Sequence, residues 1–188
     1  NGTQRRLTDG GRHLQPRWSP DGTTIAYVAQ DVSYSDIVLL QPATSTSTRL
    51  TNARGYSTRS GTWFYRPTWS PDGAKLAYVS EQTTYDMNLW LMNDDGRSPV
   101  QLTNWDSYGG GVDCPTWSPD GKQIAFTSHR TGSAQIWVLT LATGRWQQVT
   151  DVAGGAYDPA WSPDGRYIAY AARTDGQTDI WMMLPDGS

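Results

Sequence analysis

Residues 66–80 read RPTWSPDGAKLAYVS, and the pentapeptide WSPDG inside this segment occurs four times in the chain. The copies begin at residues 18, 69, 117 and 161, so successive copies lie 51, 48 and 44 residues apart. An apolar run follows each copy, as in Leu76-Ala77-Tyr78-Val79. Self-similarity at a nearly fixed period of this length is the sequence signature of a repeat architecture, so one repeat should define one structural unit.

The third repeat contains a short extended segment at residues 114–118, followed by Pro119, Asp120 and Gly121. These three residues predict a turn, because Pro presets φ, Asp can bond nearby backbone and Gly accepts positive φ. Three further segments have strand character, with β-branched and aromatic residues and no helical periodicity. They are residues 122–128, 135–141 and 145–150. Four short antiparallel strands in about 45 residues predict one blade of a β-propeller.

The two ends of the chain match complementary parts of this repeat. Residues 1–8 (NGTQRRLT) align with residues 143–150 (TGRWQQVT), so the chain is expected to begin with a fourth strand. Residues 179–188 then supply a third strand and a turn. The prediction is an all-β β-propeller of four four-stranded blades with permuted ends. It forms a single propeller or half-propeller domain over residues 1–188.

Permuted ends would leave two unpaired strand edges, which isolated proteins usually cover. Three arrangements remain open: a closed four-bladed ring, an eight-bladed ring from two copies, or part of a larger propeller. Complementary surfaces commonly close into symmetric assemblies. Self-association into a two-chain, eight-bladed ring is therefore the favoured expectation.

The composition argues against several classes of protein. A net charge of −3 and a pI near 5.2 do not provide the basic field of a nucleic-acid-binding module. No apolar run reaches the roughly 18 residues that a membrane span needs, so no membrane insertion is predicted. The single cysteine, Cys114, excludes an internal disulfide. The chain begins with Asn1 and has no signal peptide, which indicates a piece of a longer product.

Residues 158–170 (DPAWSPDGRYIAY), the later Asp179-Ile180-Trp181 and the Leu-Thr pairs carry a family resemblance. The pattern resembles the WD40-like (PD40) repeat of TolB-type bacterial propellers, and it covers essentially the whole chain. The resemblance implies that the Trp of each pentapeptide packs between blades. It also implies a non-catalytic module that binds a protein or peptide through its loop face and channel, in the bacterial periplasm or outside the cell. No segment matches the separate N-terminal domain of TolB.

Candidate ligand-binding residues lie in the loops that enter the blades and just before the repeated Pro. Aromatic and Arg side chains concentrate there, which is the composition of binding hot spots. The candidates are Tyr56, Arg59, Trp63, Tyr65, Arg66, Trp105, Tyr108, Asp113 and Asp158. Two alternatives stay open: the rings plug the channel or pack under the loops, and Arg66 and Asp158 pair with other charges instead of a ligand.

Enzyme motifs are missing from the sequence. The two histidines, His13 and His129, lie in unrelated loops without zinc-site spacing, and there is no Gly-x-Ser-x-Gly elbow. Cys114 is expected to be a small buried residue. We therefore predict no catalytic residues, metal site or cofactor. The alternatives are a gating propeller like that of prolyl-oligopeptidase-type peptidases, a carbohydrate-binding propeller, or a self-assembling fragment without a ligand.

Overall fold

The computed structural model describes residues 2–53, 62–82, 86–104 and 111–188. These residues form four antiparallel sheets in which each strand pairs with its neighbour in sequence. Blade 1 contains β1 (Arg12–Trp18), β2 (Ile25–Gln30), β3 (Ser35–Gln41) and β4 (Thr46–Arg49). Blade 2 contains β5 (Trp63–Trp69), β6 (Lys75–Glu81), β7 (Asn88–Asn93) and β8 (Val100–Gln101). Blade 3 contains β9 (Val112–Trp117), β10 (Gln123–Thr131), β11 (Ser133–Thr140) and β12 (Arg145–Gln148). Blade 4 contains β13 (Ala156–Trp161), β14 (Ile168–Thr174) and β15 (Gln177–Met183).

The blades pack in series through their first strands, since β1 contacts β5, β5 contacts β9 and β9 contacts β13. An apolar cluster fills each of the three seams between neighbouring blades. Phe126 of blade 3, for example, is fully buried with Leu89 of blade 2 in the second seam. The core is thus divided among the seams, which confirms the predicted propeller blades.

The pentapeptide forms the turn between the first two strands of every blade, as predicted. In blade 3 the Ser118 hydroxyl donates to Asp120 Oδ1 at 2.7 Å, and the amide of Gln123 donates to Ser118 Oγ at 2.9 Å. The amide of Gly121, at φ +70°, donates to the Ser118 carbonyl at 2.9 Å. Each residue of the turn therefore has a structural role, with Gly supplying the left-handed backbone conformation.

These turns should lower the pKa of their four aspartates, Asp21, Asp72, Asp120 and Asp164. The Ser hydroxyl and then a backbone amide stabilise each charged carboxylate and hold its pKa below the usual range, to about 2 for Asp164. Because the folded pKa is depressed, the resulting stabilisation is present above the unfolded pKa of about 4 and is lost as pH falls toward 2. NMR titration of the carboxyl carbons should give midpoints below 3.8, and Ser162→Ala should raise the Asp164 midpoint. A midpoint for Asp164 at or above the unfolded value would contradict this account.

The Trp of the pentapeptide bridges to the preceding blade. Trp69 Nε1 donates to the Arg17 carbonyl at 3.1 Å, and Trp117 Nε1 donates to the Thr68 carbonyl at 3.2 Å. Both acceptors directly precede the Trp of the previous blade, so the inter-blade packing role is confirmed at these two positions. Trp18 of blade 1 has no preceding blade in the described chain, and 57% of its surface is exposed.

In blades 1 to 3 the Leu-Thr or Val-Thr pair directly follows the fourth strand; β4, for example, ends at Arg49. The Leu50 amide donates to the Ile37 carbonyl at 2.9 Å. Thr51 Oγ1 accepts from the Ile37 amide at 2.9 Å and donates to Asp36 Oδ1 at 2.8 Å. The pair therefore fastens the chain leaving the fourth strand to the third strand of its own blade.

The N-terminus differs from its expected structure. Residues 2–9 form no strand, and blade 4 has three strands instead of four within the described residues. A strand needs a neighbour with which to exchange backbone hydrogen bonds, and among the described residues no third strand lies beside this segment. The outer edge of β15 is consequently unpaired in the described chain.

Candidate functional site

A β-bulge interrupts the first strand of every blade at the residue before the repeated Pro. That residue has a left-handed backbone, with φ of 54° for Gln15, 53° for Arg66, 49° for Cys114 and 52° for Asp158. These residues lie within the first strands, two or three residues after each strand begins. Bulges re-aim side chains, and non-Gly residues at positive φ tend to cluster at functional sites.

The bulges of blades 2 to 4 line an open cleft of about 380 Å³ on the side where the first strands of neighbouring blades meet. Prolines 67, 115 and 159 form part of its wall. Its polar lining consists of Arg17, Arg66, Thr68, Cys114, Thr116 and Asp158. The cleft thus spans all four blades, because Arg17 lies on β1 and Asp158 lies on β13.

Arg66 is held in this cleft by a two-point ion pair with Asp113. Its Nε lies 2.9 Å from Asp113 Oδ1, and its Nη2 lies 3.3 Å from Asp113 Oδ2. The Arg66 amide also donates to Gln15 Oε1 at 2.7 Å. The two charged side chains are about 40% exposed, so the pair should contribute little to stability. The ion pair holds the Arg66 side chain in one orientation. This contact agrees with the alternative that Arg66 pairs with another charge of the protein instead of a ligand.

Cys114 and Asp158 form the second polar pair of the cleft. The Cys114 thiol donates to Asp158 Oδ1 at 2.8 Å. Burial, followed by the hydrogen bond to this carboxylate, raises the pKa of Cys114 to about 12, so the thiol is protonated at neutral pH. Cys114 is half-buried, so the expectation of a small buried residue is only partly met.

The raised pKa predicts an unreactive thiol, because only the thiolate attacks alkylating reagents. We expect iodoacetamide to modify Cys114 at pH 8 at least about a hundredfold more slowly than a free cysteine of pKa about 8.5. The rate should continue to rise with pH above about 10. The same chain in urea provides the control and should react at the ordinary rate. A folded chain that reacts within a few-fold of the unfolded chain would contradict the assignment.

The remaining candidates lie outside the cleft lining or outside the described residues. Tyr56, Arg59, Trp105 and Tyr108 lie outside the described residues. Trp63 and Tyr65 stack at 6.2 Å between ring centroids and 3° between planes, but neither belongs to the cleft lining.

Tyr65 has the features of a packing residue. It packs on the cluster in the second seam. Burial, with a smaller effect of the hydrogen-bonded Glu81, raises its pKa to about 12. These contacts favour the alternative of packing for Tyr65, and its stacking covers one face of the Trp63 ring.

Three further residues of the cleft lining, Arg17, Thr68 and Thr116, were not among the predicted site residues. All three occupy the position between Pro and Trp in the repeat. This position varies within an otherwise fixed motif, and that variability could have indicated residues that face a ligand. Within the described residues, no three His, Cys, Asp or Glu side chains cluster as metal ligands. The same part of the chain contains no helix long and apolar enough to cross a membrane.

Comparison with known proteins places this geometry among TolB-like propellers. The crystal structure of TolB from Acinetobacter baumannii is similar with a TM-score of 0.76 and 26% identity, over 93% of this chain and 41% of that chain. The structure of putative TolB from Agrobacterium tumefaciens is similar with a TM-score of 0.73 and 27% identity, over 90% of this chain and 60% of that chain.

One relative in sequence is named as a peptidase and not as TolB. The uncharacterized peptidase YuxL of Bacillus subtilis is 34% identical over 95 residues, which are 47% of this chain and 13% of that protein. The chain therefore spans less than two thirds of each of these three relatives. The model of the PD40 family, described as the TolB β-propeller domain, matches residues 3–188. This match covers nearly the whole chain, and the blades, turns and seams described above are those of a propeller. The chain therefore belongs to the PD40 family of TolB β-propeller domains.

Proposed function

We propose that this domain is a non-catalytic module that binds a protein or peptide segment in the channel cleft. The observation that carries the proposal is that one open cleft has an exposed positive charge, Arg17, on blade 1 and an exposed negative charge, Asp158, on blade 4. An extended peptide offers carboxylate, amine and backbone groups to such a surface. The ion pair of Arg66 with Asp113 adds a preoriented donor between them.

The family supports this proposal, since its fold places variable residues on a constant scaffold. The likeness to bacterial TolB structures also supports our proposal of a periplasmic or extracellular location. The predicted self-association remains a proposal. It would involve the outer faces of blades 1 and 4 and not the cleft.

A screen of random decapeptides displayed on phage would test the binding proposal. Selected peptides would be synthesised, and their dissociation constants would be measured by calorimetry. We expect Arg17→Gln and Asp158→Asn each to raise the dissociation constant at least about tenfold, as for charged side chains at an interface centre. Arg145→Gln, on the outer strand β12, is the matched control and should leave it unchanged. No selected peptide, or peptides indifferent to both cleft variants, would overturn the proposal.

A gating propeller of a peptidase is the second candidate function, and the likeness to YuxL favours it. In that case the cleft would admit a peptide substrate toward a hydrolase domain. A Gly-x-Ser-x-Gly hydrolase segment in the same polypeptide would distinguish this function from an independent binding module.

A further inference from the structure

The dipeptide Asp-Gly occurs eight times in the chain, and it can rearrange without an enzyme. The amide nitrogen of the Gly attacks the side-chain carboxyl carbon of the Asp, so that an N–C bond forms, a C–O bond breaks and one water leaves. Water then opens the resulting succinimide ring at either carbonyl and produces aspartate or isoaspartate. The Gly amide must first rotate toward the Asp side chain, so hydrogen bonds that hold these two groups apart slow the reaction.

Six of the eight Asp-Gly steps are held by the same two hydrogen bonds. The Gly amide donates to the carbonyl three residues before it, at 2.9–3.0 Å. One carboxylate oxygen of the Asp accepts from the amide of the residue after the Gly, at 2.9–3.1 Å. These six doubly bonded residues are Asp21, Asp72, Asp95, Asp120, Asp164 and Asp186. A seventh, Asp9, is ion-paired with Arg6.

The eighth step, Asp175-Gly176, has neither hydrogen bond within the described chain. It forms the two-residue turn between β14 and β15, with φ of 51° and 80°, and Thr174 pairs with Gln177 beside it. Positive φ at both central residues is typical of a type I′ hairpin turn, for which Asp-Gly is a preferred sequence. The peptide unit between Asp175 and Gly176 can therefore rotate without breaking the pair of Thr174 with Gln177.

Water reaches this turn, and water is needed to open the ring. Asp175 is exposed, and a Cβ built on Gly176 would meet no atom within 4 Å. The corresponding turns of blades 1 and 3 are exposed at Val32 and Gly132, although another blade follows each of them. The exposure of such a turn is thus a property of its place in the blade and does not depend on the next blade.

We propose that Asp175 is the site at which the folded protein forms isoaspartate, while the six doubly bonded residues remain aspartate. In isoaspartate the main chain runs through the side-chain carbon, which adds one atom to the turn and leaves a free carboxylate beside it. The lengthened turn no longer fits the pairing of Thr174 with Gln177, so the ends of β14 and β15 should separate. This inference is independent of the proposed peptide binding.

Peptide mapping of the full chain after prolonged incubation at neutral pH tests the assignment. A proteinase that cleaves before aspartate but not before isoaspartate, combined with mass spectrometry, measures conversion at each step. We expect conversion at Asp175 at least about tenfold faster than at the six doubly bonded residues, since each of those must break two hydrogen bonds. In urea no turn is held and every one of these residues still precedes a Gly, so their rates should become similar.

Two matched variants provide a second readout. An Asn before Gly closes the same ring with loss of ammonia, and the product differs in mass. Asp175→Asn should therefore deamidate at least about tenfold faster than Asp120→Asn, whose amide oxygen can accept the same backbone hydrogen bond. Circular dichroism would verify that both variants fold.

Two results would overturn the proposal. The first is equal conversion of Asp175 and the six doubly bonded residues in the folded chain. The second is a preference for Asp175 that persists in urea, because its cause would then be the local sequence and not the unbonded turn.

Discussion

Trp117→Ala is expected to reduce the free energy of unfolding by about 3–5 kcal/mol, the range for removing a large buried aromatic side chain. Only 7% of Trp117 is exposed, and it packs with residues of blades 2 and 3 in one cluster. The substitution would leave a cavity in this seam and remove the hydrogen bond to the Thr68 carbonyl. Urea unfolding followed by circular dichroism measures the loss.

The chain provides its own control in Trp18→Ala. Trp18 occupies the same position of the repeat but is 57% exposed, and it donates no hydrogen bond to a preceding blade in the described chain. We expect its substitution to cost less than about 1 kcal/mol. Equal losses at the two positions would show that the repeat motif stabilises each blade locally, without a contribution from the seams.

The blade architecture could be predicted from the sequence because its determinants are local. The turn at residues 117–121 needs a Pro, an Asp and a Gly at adjacent positions, and the strands beside it show their own residue preferences. Exposure of the equivalent Trp18 and Trp117 differs because of neighbouring blades, which the repeat pattern does not encode.

The candidate site was less predictable because its geometry depends on the bulges. A one-residue bulge changes which side chains face the cleft, and the left-handed backbone at Arg66 and Cys114 has no distinctive residue preference there. Arg66, Asp113 and Asp158 could be predicted from their residue types next to the repeated Pro, whereas Arg17 lines the cleft because of the position of β1. Tyr65 was selected for its aromatic ring, but it packs in a seam.

Asp36→Ala should cause the second large loss of stability, about 3–4 kcal/mol, because it removes a fully buried charged acceptor. Asp36 Oδ1 accepts from the Thr51 hydroxyl and from the Ala53 amide, each at 2.8 Å. Its other oxygen pairs with Arg49, which is about half exposed and would be hydrated after the substitution. Thr51 and Ala53 would lose their acceptor, and urea unfolding would measure the cost.

Asp36→Asn separates the hydrogen bonds from the charge. Blades 2 and 3 carry neutral Asn88 and Gln135 at this position, and each accepts from the equivalent Thr hydroxyl, at 3.0 Å and 2.8 Å. An amide oxygen should therefore serve the same role in blade 1, and we expect a loss of about 1–2 kcal/mol. Asp95→Ala, at an exposed turn, is the control and should cost less than about 0.5 kcal/mol. If Asn were as destabilising as Ala, the pair with Arg49 would be the dominant contribution, and the role inferred from the other blades would be wrong.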